Sequence, residues 1–233
     1  MPFSAIISTT SNNTTTITTI PFRSQHQGEN IKMAKTKWKG GALLAPLPPA
    51  IVTCGTMEKP NALTIGWTGI LNTHPPKTYI SVRPSRHSYE MIKESGEFVI
   101  NLPTSELVKA ADFCGVRSGK DVDKFAHCNI TPEASTEVSA PSLAESPLSI
   151  ECRVTDVLPL GSHDMFMADI VAVTVKEELI SADGKLRLDK SGLIAYAHGE
   201  YFELGKKIGF FGFSVQKKKK HNKKHHKSPA PRK

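Results

Sequence analysis

Between residues 50 and 204 the chain is cut into short runs rich in Val, Ile and Thr, each closed within a few positions by Gly, Pro or Asn. Several of them alternate apolar and polar residues, the period of a half-buried strand. Strands are therefore predicted at 50–56, 62–71, 77–83, 97–102, 148–158, 165–177 and 193–204, separated by turn-rich pieces such as "MEKPN" and "NTHPP". Asp183-Gly184 supplies a hairpin-type turn. Short helices are predicted from a Thr104 or Ser105 cap through Cys114, and over "KDVDKFAH". Many short strands with few helices point to a small barrel.

One strand ends in a concentration of polar groups. In Tyr79-Ile80-Ser81-Val82-Arg83, Ile80 and Val82 face one side while Ser81 and Arg83 face the other. Pro84 stops the run, and Ser85 is the expected N-cap of a helix ending at Gly96. Arg86, His87 and Ser88 then occupy a first turn whose amides lack intrahelical partners, at the positive end of the helix dipole. That arrangement suits a phosphate. It equally suits an ordinary surface helix with solvated arginines.

In the run 62–71, Leu63, Ile65, Trp67 and Leu71 share one face, and Ala62, Thr64, Gly66, Thr68 and Ile70 the other. Gly66 and Gly69 weaken a strand unless something approaches its backbone closely. A flat aromatic ring is one candidate, and a tightly packed core or a bulge is the other.

The 233 residues, 39% of them hydrophobic, suffice for one domain with a substantial core, placed at 36–214. No apolar run is long enough to span a membrane. Cys54, Cys114, Cys128 and Cys152 are scattered without a C-x-x-C pair, which predicts free thiols in a reducing compartment such as the cytoplasm. The net charge is +8, but residues 217–233 hold eight lysines and Arg232 with no acid; without those nine cations the rest carries −1. The segment 215–233 is expected to be a disordered Lys/His-rich tail with a general attraction to polyanions, and its His221, His225 and His226 show no surrounding metal-binding framework. Residues 1–35, rich in Ser and Thr, are likewise expected to be disordered; they resemble an organelle-import segment in hydroxyl content but are poor in arginine. Met33 reads as a second start.

The order and spacing of several of these stretches resemble the flavin reductase-like, FMN-binding split-barrel family, particularly its flavoredoxin-type branch. The resemblance runs through N-A-L-T-I-G-W-T, the His74-Pro75-Pro76 turn, S-V-R-P-S-R-H-S-Y, S-G-E-F-V-I-N-L-P at 95–103, "SGKDVDKF" at 118–125 and "HGEYFELG" at 198–205. It covers the central domain and neither tail. It implies a mainly β fold, a six-stranded Greek-key split barrel with short α-helices, dimerising with one FMN per subunit near the interface. By the same resemblance Asn61, Ala62, Leu63 and Thr64 would contact the flavin or its ribityl chain, with Trp67 and Thr68 nearby. Ser81, Arg83, Arg86, His87 and Ser88 would surround the phosphate. Lys124 would lie beside the flavin, where a cation stabilises negative charge on the reduced ring, or else be a solvated lysine at a helix end. "GSHDMFMADI" is similar to a G-D-H motif whose histidine lies by the nicotinamide, but Ser162 replaces the acid, which weakens a catalytic role for His163.

The chemistry implied is hydride transfer from NAD(P)H to flavin, with onward transfer of electrons. No G-x-G-x-x-G follows a strand, so no separate nicotinamide domain is expected. Three functions remain in view: an FMN-dependent, NAD(P)H-linked flavin reductase; a flavoredoxin-like FMN carrier exchanging electrons with a redox protein; and a polyanion-binding protein working through its basic tail. No metal site, membrane span or specific nucleic-acid site is expected.

Overall fold

A computed structural model describes residues 35–216 and, in addition, the backbone of Ile6–Ser11 and Thr14–Thr19. The chain divides into two units, Met1–Ala42 and Leu43–Lys233. In the first, strand β1 (Ile6–Ser11) pairs antiparallel with β2 (Thr14–Thr19). Its run of β-branched threonines favours extended backbone. The basic segment with His221, His225 and His226 lies outside the described residues.

The second unit is built on one antiparallel sheet. Its strands are β3 (Ala50–Gly55), β4 (Pro60–Ile65), β5 (Thr68–Thr73), β6 (Pro76–Val82), β7 (Glu97–Asn101), β10 (Leu148–Pro159) and β11 (Asp164–Val175). They lie in the order β4-β3-β7-β10-β11-β6-β5. The two ends of that order, β4 and β5, are consecutive in sequence and separated only by Gly66 and Trp67, so the sheet curls until its ends meet. Counted as one bent strand, β4 and β5 make the expected six. The three hairpin-connected strands β3, β4–β5 and β6 are followed by β7, which returns to the far side of β3, the Greek-key order. The predicted single strand 62–71 is thus corrected to two. At the glycine the chain leaves β3 and engages β6, beginning with the Ser81 amide donating to the Trp67 carbonyl at 3.0 Å.

Alternation along β3 explains the two layers. Ala50, Val52 and Cys54 point into the barrel with Leu63, Ile65, Ile80, Val82, Phe98, Ile100 and Phe166. Ile51 points outward, beneath helices α2 (Val108–Val116) and α3 (Lys124–Cys128), where Ala62, Ala111, Cys114 and Phe125 form a second core. Helix α1 (His87–Ser95) inserts Tyr89 and Ile92 into the barrel core. Between the layers Asn101 is a fully buried hub. Its Nδ2 donates to the Ile51 carbonyl at 3.0 Å and to Thr53 Oγ1 at 2.9 Å, while its Oδ1 accepts from the Leu143 amide at 2.9 Å and from Ser149 Oγ at 2.7 Å. This ties β3, β7 and β10 to the short strand β9 (Ser142–Leu143), which pairs with β8 (Pro132–Glu133) in the segment between α3 and β10.

Helix boundaries differ in detail. The N-cap of α1 is Arg86, not Ser85, and it has no side-chain cap; Gly96 closes the helix as expected, with φ 68. Helix α2 starts at Val108 after a turn through Thr104 and Ser105, which therefore do not cap it. In α3 Asp123 caps the amides of Phe125 and Ala126. The predicted strand 193–204 is instead a hairpin, β12 (Ile194–Ala197) and β13 (Glu200–Glu203), because His198 and Gly199 both take positive φ in a two-residue turn. Asp183-Gly184 forms a tight turn joined only by an isolated Ile180–Leu186 bridge. Among the described residues no helix is long and apolar enough to cross a membrane.

Candidate functional site

The break between β4 and β5, the start of α1 and the end of α2 converge on one cleft with two lobes. The first, about 360 Å³, is lined by Leu47, Thr64, Gly66, Trp67, Ser81, His163, Tyr196 and Tyr201. The second, about 310 Å³, is lined by Ser85, His87, Ser88, Arg117, Ser118, Gly119 and Lys124. Leu63, Arg83, Arg86 and Val116 border both. One end of the cleft is therefore aromatic, and the other is cationic.

The cationic lobe is short of negative charge. Arg83, Arg86, Arg117 and Lys124 are absent from the ion pairs formed among the described residues. Lys124 is 4% exposed, and its Nζ donates to the carbonyls of Ala62 at 2.6 Å and Cys114 at 2.9 Å, leaving one of its three N–H bonds over. Burial holds its ammonium below the usual lysine range, and Arg86 adds repulsion. A buried cation without a carboxylate calls for an anion. The first-turn amides of His87 and Ser88 also lack partners among the described residues, so α1 brings free donors and its positive dipole end to the same lobe.

Ser88 lines this lobe, and Asn61 lies behind it, on a neighbouring hollow that Gly119 and Lys124 also border. Asn61 Nδ2 donates to Ser88 Oγ at 2.7 Å, and both side chains are buried. Gly119 lies against them so closely that a Cβ would stand 2.1 Å from Asn61 Oδ1. Beneath, burial pushes the Cys54 thiol up to about 11 and those of Cys114 and Cys152 to about 12; all four cysteines are free thiols.

In the aromatic lobe Thr64 Oγ1 is, among the described residues, the one buried side-chain oxygen or nitrogen without a hydrogen-bond partner. Trp67 packs against His163, ring centroids 4.5 Å apart, and Ser162 Oγ lies 3.0 Å from His163 Nδ1. Burial first, then Arg83 and Arg86, hold the imidazole below the usual histidine range. Tyr196 and Tyr201 meet edge to face at 5.3 Å across the β12–β13 hairpin.

The structure thus gathers Leu63, Thr64, Trp67, Ser81, Arg83, Arg86, His87, Ser88, Lys124 and His163 around the cleft, while Asn61 lines neither lobe and reaches it only through its bond to Ser88. Ala62 contributes a carbonyl to Lys124, while its methyl lies in the outer core. Thr68 is directed elsewhere, its hydroxyl donating to the Tyr79 carbonyl at 2.6 Å. The ring close to Gly69 is the protein's own Tyr79, whose Cε1 lies 3.3 Å from where a Cβ would stand. The hairpin tyrosines, Val116, Arg117 and Gly119 were not anticipated. The His198-Gly199 dipeptide was the signal for the hairpin, and the "SGKD" stretch for Gly119.

The profile of the flavin reductase like domain matches residues 43–205. The chain belongs to this family. An uncharacterized protein of Archaeoglobus fulgidus is 32% identical over 159 residues, covering 68% of this chain and 88% of that protein. The NADPH-flavin oxidoreductase of Streptomyces viridifaciens is 25% identical over 128 residues, 54% of this chain and 65% of that one. Among solved structures, the flavoredoxin of Desulfovibrio vulgaris (Miyazaki F) superposes with a TM-score of 0.73 and 28% identity, over 78% of this chain and all of that one. The aromatic and cationic lobes thus sit in a flavin reductase-like barrel.

Proposed function

We propose that the chain is an FMN-dependent oxidoreductase of the NAD(P)H:flavin reductase type. The observation that carries this reading is the bipartite cleft: an aromatic lobe with an unsatisfied Thr64 hydroxyl joined to a lobe holding four cations without acid partners. A molecule with a flat polar-edged ring and a phosphate satisfies both. Arg83, Arg86, Lys124 and the free amides of α1 would hold the phosphate end, and Thr64, Trp67 and Ser81 the ring; this exchanges the roles that the resemblance implied for Ser81 and Lys124, because Ser81 lines the aromatic lobe and Lys124 the cationic one. FMN, when bound, supplies a ring that accepts hydride from a nicotinamide and passes electrons on. The chain's residues bind and orient it and set the field around it. His163, kept neutral at the rim beside Trp67, serves as an uncharged wall for an incoming nicotinamide.

The test is anaerobic addition of NADH or NADPH to the flavin-loaded protein: loss of the visible flavin absorbance within seconds supports a reductase. No bleaching, with reduction by dithionite intact, supports a second reading, an electron carrier for a protein partner, which the likeness to the Desulfovibrio flavoredoxin favours. The reading includes a homodimer, supported by exposed Ile70 and Leu71 on β5 and Leu158 and Leu160 at the β10–β11 turn. Light scattering should give twice the chain mass, and a monomer loaded with FMN would remove the dimer. The free thiols support a reducing compartment such as the cytoplasm.

Two further results are expected. Gly119→Val should weaken FMN binding about tenfold or more, because the new side chain narrows the lobe that Gly119 lines and displaces Asn61, which holds Ser88 in place; a fluorescence titration measures this, and an unchanged affinity would detach Gly119 from the site. FMN affinity should also fall at alkaline pH. In the flavin-free protein Lys124 has a lowered pKa, so as pH rises it loses its proton, and its attraction for phosphate, before an ordinary lysine does. Titrations across that range should show the fall in the parent and a smaller one in Lys124→Met.

A further inference from the structure

After β13 the chain leaves the barrel and builds a small aromatic knuckle. The Phe213 amide donates to the Phe210 carbonyl at 3.1 Å and the Val215 amide to the Gly212 carbonyl at 3.3 Å, with Gly212 at φ 83. The rings of Phe210 and Phe213 meet at 6.0 Å. Gly209 allows this closure, since a Cβ there would stand 2.7 Å from the Phe213 ring. The knuckle orders itself but hides little: Ile208 and Phe211 are fully exposed, Val215 is 82% exposed, and Phe210 and Phe213 are more than half exposed. Holding this many large apolar groups in water is unusual for a surface without a partner.

The charge around it has one sign. From Gly205 to Lys233 the sequence holds ten lysines and Arg232 and no acidic residue, with Lys206 and Lys207 immediately before the knuckle and Lys217 to Lys220 immediately after. Apolar residues flanked by a polybasic run combine two signals, insertion and attraction to anionic headgroups, and stable membrane attachment needs both. Nucleic acid would answer the charge and stack on phenylalanine, but it offers nothing to Ile208 and Val215, which have no π face. Hydrocarbon accepts all five side chains.

We propose that residues 205–216 dock the protein on an anionic lipid bilayer, with Ile208, Phe211 and Val215 entering the headgroup boundary and the positive charge of Lys206, Lys207 and the basic sequence after Gln216 supplying the attraction to the anionic surface. The test is co-sedimentation of the full-length protein with vesicles of phosphatidylcholine alone or mixed with phosphatidylserine. Pelleting with the mixed vesicles, little with phosphatidylcholine, and weakening by salt are expected. Ile208→Ser combined with Phe211→Ser should lower the partition coefficient about tenfold or more, with the thermal unfolding temperature unchanged. Several results would overturn the proposal: no pelleting, pelleting indifferent to the double substitution, or tighter binding to an oligonucleotide than to the mixed vesicles. Conversion of a dimer to a monomer by the same substitutions would also do so, showing that the knuckle joins two copies instead.

Discussion

Asn101→Leu is expected to destabilise the barrel by roughly 3 kcal/mol or more, as several buried groups lose their partner together. Asn101 is 1% exposed and binds groups on three elements besides its own. Leucine matches its size but neither accepts nor donates. The Leu143 amide, Ile51 carbonyl and Ser149 hydroxyl would have to stay unsatisfied or find water in a site that excludes it. Each unsatisfied group costs about 1–3 kcal/mol, less where a hydroxyl rotates to a new partner. Urea unfolding checks this: the midpoint should fall while the slope is unchanged. A shift below about 0.5 kcal/mol, the ordinary surface range, would mean the network is not load-carrying in the folded state.

Arg86→Ala should weaken FMN binding by about 1.5–3 kcal/mol, the range for a hydrogen bond to a charged group. The value should fall toward the lower end, because Arg86 is exposed and its field is screened. Riboflavin, which lacks the phosphate, supplies the control. Its affinity should change little in Arg86→Ala, so the preference for FMN over riboflavin should shrink by the same factor. Equal losses for both would instead assign Arg86 to the ring, whose lobe it also borders.

The barrel was legible where one local pattern decided the structure. Alternation along 148–158 and 165–177 matched β10 and β11 closely because their pairing is local, a single long hairpin. The same reasoning failed at 62–71. Ile65 and Ile70 continue a strand-like pattern through a point where the backbone changes partners, and only the closure of the whole sheet reveals the break. At 193–204 a local signal existed, but His198 is an unusual residue for positive φ and the flanking apolar residues masked the turn. Ser85 is a good N-cap by composition, yet the turn donating from the Arg86 amide to the Arg83 carbonyl moved the helix start one residue on.

The site divides in the same way. The residues flanking β6 and α1 were visible as a cluster of cations at a strand-to-helix junction. Lys124 was visible as a helix-start lysine, but its burial depends on α2 and α3 packing over β4, a long-range event. Tyr196 and Tyr201 reach the cleft only because their hairpin folds back to it, with Leu47 bridging to Tyr196 through reciprocal backbone bonds at 2.8 and 2.9 Å.

The most direct measurement of the central claim is the visible absorption spectrum of the purified protein, followed by identification of the chromophore released on denaturation and titration of the flavin-free chain with FMN. The cleft predicts a flavin spectrum, FMN as the released compound and saturation at one FMN per chain. A colourless protein that takes up no added FMN would contradict the account, leaving a flavin reductase-like barrel whose two lobes bind something else.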